Sequence, residues 1–375
     1  MKQLALVLVL LQGLAVFGQA PPSSHFETAW KLQEQGRYPE AEDHYRVLLQ
    51  KEPRSVLVLT NLGVVLGRQG KYKEAIAAYK KALAVDPSLT PVKFNVAIAY
   101  YQVSDWYNAA TWLRTVLKEN PEDRRARQLL AICYVQSEHF KEAAAAFDQL
   151  LPSPDISILI GAATAYLKVG RNEEAAKIFE KVLREKDDSP EVHFMLGLAH
   201  LALKEYVPAA DSFQRMVEMA PKNVEGYFYL GGAYFKQNKP AEALKQWRTA
   251  AILDPHNFPA AFALGSLLVE QREYREAERW LNQALALRQD HPGTRHELGK
   301  LAYQQGNYQE ALKHLSETTR LVPGSKEASF LLARTYAKVG KKEEAQKEFQ
   351  RSKTLYQQDI LKDKDLLEKA LTPRD

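Results

Sequence analysis

Several side chains in this sequence belong to types that carry out chemistry, and their spacing limits what that chemistry could be. His193 and His200 are seven residues apart, which is about 10 Å along a helix and too far to hold one metal ion without further ligands. Cys133 is the only cysteine, so an intrachain disulfide, a zinc cluster and a Cys-x-x-Cys redox motif are excluded. Phosphate-loop, zinc-protease and nucleophile-elbow motifs do not occur. The sequence therefore predicts a protein that is not an enzyme and that holds no metal or cofactor.

Two other sets of side chains have chemistry suited to binding. Asn61 and Asn95 each carry an amide group, which suits bidentate pairing with a peptide backbone. Arg125 and Gln128 follow on the next segment of the same kind. The second set is aromatic and consists of Phe94, Tyr101, Phe194, Phe228, Tyr229, Phe235 and Phe262.

Each set allows two interpretations. The amides are either binding groups or ordinary surface asparagines. Phe194, Phe228 and Phe262 are evenly spaced, at the interval that also separates Asn61 from Asn95. Their spacing indicates either an aromatic floor for a partner helix or extended segment or rings that pack between neighbouring helices.

The same interval, about 34 residues, recurs along nearly the whole chain. An alanine marks it, and successive alanines keep the interval except between Ala143 and Ala175, where the spacing is two residues shorter. Counting back from these alanines divides residues 22–359 into ten repeats. The repeats are expected to start at Pro22, Val56, Thr90, Arg124, Ile156, Pro190, Val224, Phe258, Pro292 and Lys326. The short spacing predicts an irregularity at 151–155, with a neutral loop deletion as the alternative.

Each repeat has the pattern of two helices. Apolar residues recur at helical spacing, and no segment alternates with the period of two that β-strands require. Prolines such as Pro87, Pro121 and Pro255 end the units because proline cannot continue a helix. Leucines among charged residues predict an amphipathic capping helix and tail over 360–375. The sequence thus predicts an all-α protein.

These repeats resemble the tetratricopeptide repeat family. The family signature is a Leu-Gly pair and a Tyr in the first helix, then an Ala, an aromatic residue and a closing Pro in the second. In the seventh repeat these positions hold Leu230, Gly231, Tyr234, Ala243, Trp247 and Pro255. The resemblance implies a right-handed superhelical solenoid of about ten helix-turn-helix units plus a C-terminal capping helix, whose first helices line a concave face.

The resemblance also implies a use for the amides. Asn61 and Asn95 look like the asparagine ladder by which some tetratricopeptide repeat proteins hold extended peptides. Asn95 and Arg125 resemble part of the carboxylate clamp that grips C-terminal peptides of chaperones. Thr60 and Val64 stand where that clamp needs Lys and Asn, so a chaperone-tail function is not expected.

Residues 1–20 look like a secretory signal peptide. Lys2 precedes an apolar run over 4–11, and small residues follow at Gly18 and Ala20. Cleavage is predicted after Gly18, because cleavage after Ala20 would leave Pro21 next to the cut. The apolar run is shorter than the ~20 residues of a membrane-spanning helix. Export to the periplasm is therefore favoured over an uncleaved membrane tether.

The net charge and its distribution along the chain limit the class of partner that the protein is expected to bind. The 375 residues include 51 basic and 46 acidic side chains, a formal net charge of +5, with both signs mixed along the chain. A nucleic-acid partner is not expected, because such proteins concentrate basic residues on one face. We therefore predict a non-catalytic protein–protein interaction scaffold or assembly factor of the bacterial cell envelope that binds an extended peptide or a helix in its groove. The alternative is an envelope polysaccharide or glycan binder that stacks its aromatic rings on sugars.

Overall fold

The protein is an all-α repeat solenoid. The structure, a computed structural model, describes residues 24–184 and 188–371. These residues form twenty α-helices and no β-strand, which confirms the predicted fold class. The predicted signal peptide and the final residues of the predicted tail, 372–375, lie outside the described residues. Of the helices described, none combines the length and the hydropathy that crossing a membrane requires.

The helices fall into two compact units, the first ending at Leu203 and the second beginning at Lys204. Unit 1 contains α1 (Ser24–Glu34), α2 (Tyr38–Lys51), α3 (Val56–Arg68), α4 (Tyr72–Val85), α5 (Thr90–Gln102), α6 (Trp106–Glu119), α7 (Arg124–Gln136), α8 (Phe140–Asp148), α9 (Ile156–Lys168), α10 (Asn172–Arg184) and α11 (Pro190–Ala202). Unit 2 contains α12 (Tyr206–Met219), α13 (Val224–Lys236), α14 (Pro240–Leu253), α15 (Phe258–Glu270), α16 (Tyr274–Leu287), α17 (Pro292–Gln304), α18 (Tyr308–Leu321), α19 (Lys326–Lys338) and α20 (Lys342–Leu371).

Odd-numbered helices are the first helices of the repeats and even-numbered helices are the second. From α3 to α19, each first helix begins at the residue from which the sequence counts a repeat, Val56 for the second repeat and Lys326 for the tenth. First helices also contact one another: α3 contacts α5, α7 contacts α9 and α9 contacts α11 in unit 1, while α15 contacts α17 and α17 contacts α19 in unit 2. Each unit therefore presents a layer of first helices.

Glycine and aromatic residues meet where the two helices of a repeat cross. A Cβ added at Gly63 would come within 2.4 Å of the Tyr79 ring, and one at Gly231 within 2.5 Å of the Trp247 ring. The Trp247 indole also donates a hydrogen bond to the carbonyl of Phe228 at 2.9 Å. These positions need glycine because a methyl group would overlap the ring that fills the crossing.

The segment 151–155 follows the shortest of the described helices. Helix α8 has nine residues, whereas α4 and α6 each have 14. Arg124 donates to the carbonyl of Leu150 at 2.8 Å, and the side chain of Asp155 accepts a hydrogen bond from the Ser157 amide at the start of α9. The fourth repeat is therefore shorter than the others because α8 ends early.

The predicted capping helix is not a separate element, which corrects the expectation from the sequence. Helix α20 runs without a break through 30 residues, so the segment after 359 continues the second helix of the tenth repeat. Neither proline nor glycine occurs in it to end the helix. Ile360 and Leu361 are each 65% exposed and do not cover an apolar face of the last repeat. Lys326 instead ties α19 to α20 through an ion pair with Asp359 at 2.7 Å.

Candidate binding surface

The two asparagines of the predicted ladder lie at equivalent places on α3 and α5, and both are buried. Asn61 is 0% exposed and Asn95 is 2% exposed. The amide nitrogen of Asn61 donates to the carbonyl of Leu57, one turn earlier in the same helix, at 2.8 Å. Its Oδ1 has no hydrogen-bond partner among the described residues. The interpretation of these residues as surface asparagines is therefore wrong, and an extended peptide meets no open amide at this place.

The other predicted groups of unit 1 are divided between core and surface. Phe94 belongs to a buried apolar cluster, and the exposed Arg125 places its guanidinium 5.5 Å from the centre of the Phe94 ring. The Gln128 amide nitrogen approaches the Ser157 hydroxyl at 3.4 Å. The structure thus brings Phe94 and Arg125 together, while Gln128 joins α7 to α9.

Two aromatic residues of unit 1 are half-buried. Tyr101 lies at the end of α5, with its ring centre 4.8 Å from that of Trp106, and burial raises the pKa of its hydroxyl. Phe194 lies on α11 and is also half-buried.

The residues whose side chains are of chemically reactive types are packed in the interior. Cys133 is buried, and burial raises the pKa of its thiol to about 12. His193 is buried and shares a hydrogen bond of 2.6 Å with the Asp188 carboxylate. His200 is buried as well. No group of three or more potential metal-ligating side chains occurs in the part of the chain that the structure describes.

The first-helix layer of unit 2 carries aromatic rings that are held in place and only partly covered. On α13, the ring of Tyr229 stacks on Phe213 with centres 5.6 Å apart, and Phe228 meets Tyr229 edge-on at 5.5 Å. Phe228 and Tyr229 are half-buried, and Phe235 is 40% exposed with its ring 5.8 Å from Trp247. Packing therefore covers part of each ring and leaves part of it in water.

Phe262 on α15 extends this set. Its ring is parallel to that of Phe258, with the centres 5.9 Å apart, and it remains half-buried. The imidazole of His291 lies against both rings, at 4.6 Å from Phe258 and 5.0 Å from Phe262. Phe228 and Phe262 pack on the same buried core cluster. We call the surface formed by Phe228, Tyr229, Phe235 and Phe262 the aromatic face of unit 2.

Two residues near this layer were not identified from the sequence. Arg334 on α19 places its guanidinium 5.1 Å from the Tyr303 ring and 5.9 Å from the Phe330 ring, which is 44% exposed. His291 stands immediately before the start of α17. Its position directly ahead of a repeat start was the available signal, because that position governs how a helix begins.

Comparison with family models accounts for most of the chain. The tetratricopeptide repeat domain of cytochrome c-type biogenesis protein H matches residues 45–157. Three further tetratricopeptide repeat models match 160–224, 224–257 and 302–361. The chain is a tetratricopeptide repeat protein. A model of subunit 3 of the anaphase-promoting complex, or cyclosome, also matches residues 247–318 of this tetratricopeptide repeat protein.

Solved structures with the same repeat architecture are similar to parts of this tetratricopeptide repeat protein. MamA is 22% identical, and the match covers 46% of this chain and 93% of MamA with a TM-score of 0.43. A tetratricopeptide repeat protein from Parabacteroides merdae is 20% identical over 70% of this chain and 97% of its own, with a TM-score of 0.44. YrrB, described as a TPR protein with an unusual peptide-binding site, is 25% identical over 50% of this chain and 97% of its own, with a TM-score of 0.42. None of the curated proteins matches the chain.

Proposed function

We propose that this protein is a non-catalytic interaction scaffold that binds an extended or helical peptide segment on the aromatic face of unit 2. The observation that carries the proposal is the partial exposure of neighbouring large rings, with Phe235 40% exposed and Phe228 and Phe262 half-buried. Apolar rings left together in water are a usual mark of a binding surface. A peptide that covered them would remove apolar area from water, which is the main driving force for such association.

The rings are also fixed before a partner arrives. Tyr229 is held by Phe213, Phe235 lies against Trp247, and Phe262 lies against both Phe258 and His291. Binding to side chains that already have neighbours on one side costs less conformational entropy than ordering free ones. This arrangement favours recognition of apolar side chains on the partner.

The predicted amide site of unit 1 supports the proposal less well. Asn61 and Asn95 are buried, and a ligand would have to displace their cover before it could reach either amide. Arg125 is exposed and remains available to a partner carboxylate. We therefore place the principal contact on unit 2 and retain Arg125 as a peripheral contact.

Two observations support a place in the bacterial cell envelope. Residues 1–20 have the charged, apolar and small-residue regions of a signal peptide. The match over 45–157 is to the tetratricopeptide repeat domain of a cytochrome c-type biogenesis protein, which supports a role in assembly within the envelope. We propose that the mature protein is periplasmic and serves as an assembly factor there.

A peptide library tests the binding proposal. The full chain is immobilised and exposed to a library of 15-residue peptides, alongside the double variant F228A/F262A and the single variant F235A. Ile252→Ala is the matched control, because Ile252 is 74% exposed but lies on the second helix α14. We expect the wild type and I252A to retain the same peptides and the aromatic variants to lose them.

The opposite outcomes separate the alternatives. If F228A/F262A and F235A retained every peptide, the aromatic face would not be the binding surface. If the wild type retained no peptide but bound sugars on a glycan array through the same rings, the polysaccharide alternative would replace the proposal.

Mass spectrometry of the protein recovered from a bacterial host tests the proposed localisation. We expect the mature chain to begin at Gln19 and to be released with the periplasmic fraction. An intact Met1 in a membrane fraction would instead support the uncleaved tether.

A further inference from the structure

Most first helices in the described chain begin with a side chain that caps the helix. The residue directly before the helix accepts a hydrogen bond from a backbone amide of the first turn, which satisfies a donor that has no partner within the helix. The residues that do this ahead of α7, α9, α11, α13, α15 and α19 are Asp123, Asp155, Ser189, Asn223, Asn257 and Ser325. Ahead of α17 the same place is held by a histidine, His291.

His291 performs the same task as the asparagines at the equivalent place of the two preceding repeats. Its Nδ1 accepts a hydrogen bond from the Thr294 amide at 3.0 Å. Asn257 accepts from the Ala260 amide and Asn223 from the Gly226 amide, each at 2.9 Å. The caps therefore match in geometry but differ in chemistry, because an imidazole titrates near neutral pH and an amide does not.

Capping requires the neutral form of the imidazole. Protonation of Nδ1 replaces the acceptor lone pair with a hydrogen and leaves the Thr294 amide without its partner. It also places a positive charge at the amino end of α17, where the helix dipole disfavours it. Both effects weaken the start of α17 when His291 is protonated.

The surroundings of His291 oppose a positive charge on the imidazole and pack closely against the ring. The guanidinium of Arg288, just after α16, lies over the Phe258 ring at 4.4 Å and brings a like charge to the same cluster. A Cβ at Gly293 would come within 2.9 Å of His291 Cε1 and 3.2 Å of Phe262 Cζ, so the start of α17 is packed closely on the imidazole. Burial, and then Arg288, lower the pKa of His291.

We propose that His291 is an acid-sensitive cap, whose protonation opens the start of α17 and withdraws the shared support of Phe258 and Phe262. Since the pKa of His291 is lower in the folded protein than in the unfolded chain, the unfolded chain takes up the proton first as the pH falls. The contribution of His291 to stability is therefore present above the ordinary histidine pKa of about 6.5 and is lost as the pH falls below it.

A second histidine of the same repeat also lowers the stability of that repeat when it is protonated. His314 on α18 is buried, and its Nδ1 has no hydrogen-bond partner among the described residues. Burial lowers its pKa; Glu310, 3.1 Å from Nε2, opposes the shift, and Lys313 and, from α17, Arg295 add to it. Acidification therefore weakens the ninth repeat at both of its helices.

A third histidine, His296, lies on α17 itself. Burial lowers the pKa of His296, with Glu297 and Lys300 on the same helix and Glu327 on α19 as the charged groups that face it. The two carboxylates oppose the shift and Lys300 adds to it.

The consequence for binding rests on the proposed function. Phe262 belongs to the aromatic face, and His291 is one of the groups that hold its ring. Opening of α17 would disorder that ring, so the protein would release a peptide held on the aromatic face when the pH of its surroundings falls.

Hydrogen–deuterium exchange of the full chain at pH 7.5 and pH 5.5 tests the cap without any partner. Rates are corrected for the intrinsic effect of pH on exchange. We expect amides of 292–298 to exchange roughly 2- to 30-fold faster at pH 5.5, the change that loss of a cap produces. Residues 224–230 of α13, which Asn223 caps and which do not include the rings that His291 contacts, provide the internal control and are expected to be unaffected.

His291→Asn is the decisive variant, because asparagine caps α13 and α15 at the equivalent place. We expect H291N to lose most of the acid response of 292–298 and to keep only the part that His296 and His314 cause. The same acid response in H291N as in the wild type, or an equal response in 224–230, would overturn the proposal. His314→Gln separates the two histidines: if H314Q alone removed the response at 292–298, the cap would not be its cause.

A peptide retained by the wild type at pH 7.5 then tests the link to binding. We expect the affinity of the wild type for that peptide to fall between pH 7.5 and pH 5.5. H291N lacks the imidazole that contacts Phe262, so it is compared only with itself, and we expect its affinity to be the same at the two pH values. Loss of affinity in both proteins would overturn the link. The exchange experiment needs no peptide, so the cap and the proposed function can fail separately.

Discussion

The same position of the repeat holds Phe94 in unit 1 and Phe228 in unit 2, and the two rings have different surroundings. Phe94 is 3% exposed and lies in a cluster with Leu113 and Leu129. Phe228 is half-buried and rests edge-on against Tyr229. The position within a repeat decides the direction in which a side chain points. How much of the side chain is covered depends on the residues of the neighbouring repeats.

The largest expected difference comes from removing these two rings. Phe94→Ala should lower the free energy of unfolding of unit 1 by about 3–5 kcal/mol, since it empties a buried site. Phe228→Ala should cost unit 2 only about 1–2 kcal/mol, because water already reaches part of the ring. Urea unfolding followed by hydrogen exchange in each unit measures both values. Equal losses of unfolding free energy in the two variants would show that the partial exposure of Phe228 does not reduce its contribution to stability.

Acid should affect the two units at different pH values. In unit 1, Glu42 accepts hydrogen bonds from Lys71 at 2.8 Å, from Arg46 at 2.8 Å and from Gln69 at 2.8 Å. Burial alone would raise the pKa of Glu42, but these bonds outweigh it and lower the pKa to about 2. The folded pKa lies below the unfolded value, so this contribution is present above the ordinary pKa and is lost as the pH falls toward 2.

The size of the Glu42 effect is about 3 kcal/mol at most, at about 1.36 kcal/mol for each pH unit. We expect exchange in α2 and α3 to rise only in that acid range, whereas the histidines of the ninth repeat act below the ordinary histidine pKa of about 6.5. Glu42→Gln should remove the low-pH step and leave the step of the ninth repeat unchanged. A single step shared by both units would contradict this separation.

Glycine substitutions should show that the helix crossings are equally close in both units. Gly63→Ala and Gly231→Ala should each cost about 1–3 kcal/mol, because the new methyl group overlaps the ring of Tyr79 or Trp247. Gly232 has no atom within 4 Å of an added Cβ, so Gly232→Ala should gain about 0.5–1 kcal/mol. Thermal unfolding of the three variants measures the difference, and a gain at Gly63 or Gly231 would refute the overlap.

The smallest expected effect concerns the turns within repeats. Gly36 and Gly70 have positive φ angles, and Glu138 in unit 1 and Arg272 in unit 2 have φ angles of 59° and 64° at the equivalent place. Residues with a side chain adopt this conformation at a cost of roughly 1 kcal/mol. Glu138→Gly and Arg272→Gly should therefore each raise the thermal midpoint slightly. A lower midpoint in either variant would show that its side chain makes a contact worth more than the strain.

The fold could be predicted because the same sequence signals recur from repeat to repeat. Helical periodicity, the recurring alanine and the Leu-Gly pairs predict an all-α repeat protein, and each of these signals lies within a single repeat. The predicted boundary before residue 360 was wrong, because charged residues and leucines suggested a new helix where α20 continues. Helix α20 continues through this segment because no proline or glycine interrupts it, and the sequence carries no other mark of the continuation.

The candidate site could be predicted only in part. Periodicity correctly placed Asn61 and Asn95 at equivalent positions on first helices, but it could not show that both are buried. Burial depends on side chains from other repeats, which no local pattern reports. The role of His291 was missed for a related reason: the repeat interval places it at the same position as Asn223 and Asn257, but only the hydrogen bond from the Thr294 amide shows that the imidazole caps its helix as the two asparagines do.

The contacts of each helix with its immediate neighbours also have a consequence for how the chain folds. In unit 2, α13 contacts α12 and α14, and α15 contacts α14 and α16. Contacts between residues close in sequence require little loop closure, and chains dominated by them fold quickly. Folding of such an array can nucleate in any repeat and propagate outward. The polypeptide can therefore acquire its structure stepwise while it is still emerging from a narrow opening, before its last repeat has appeared.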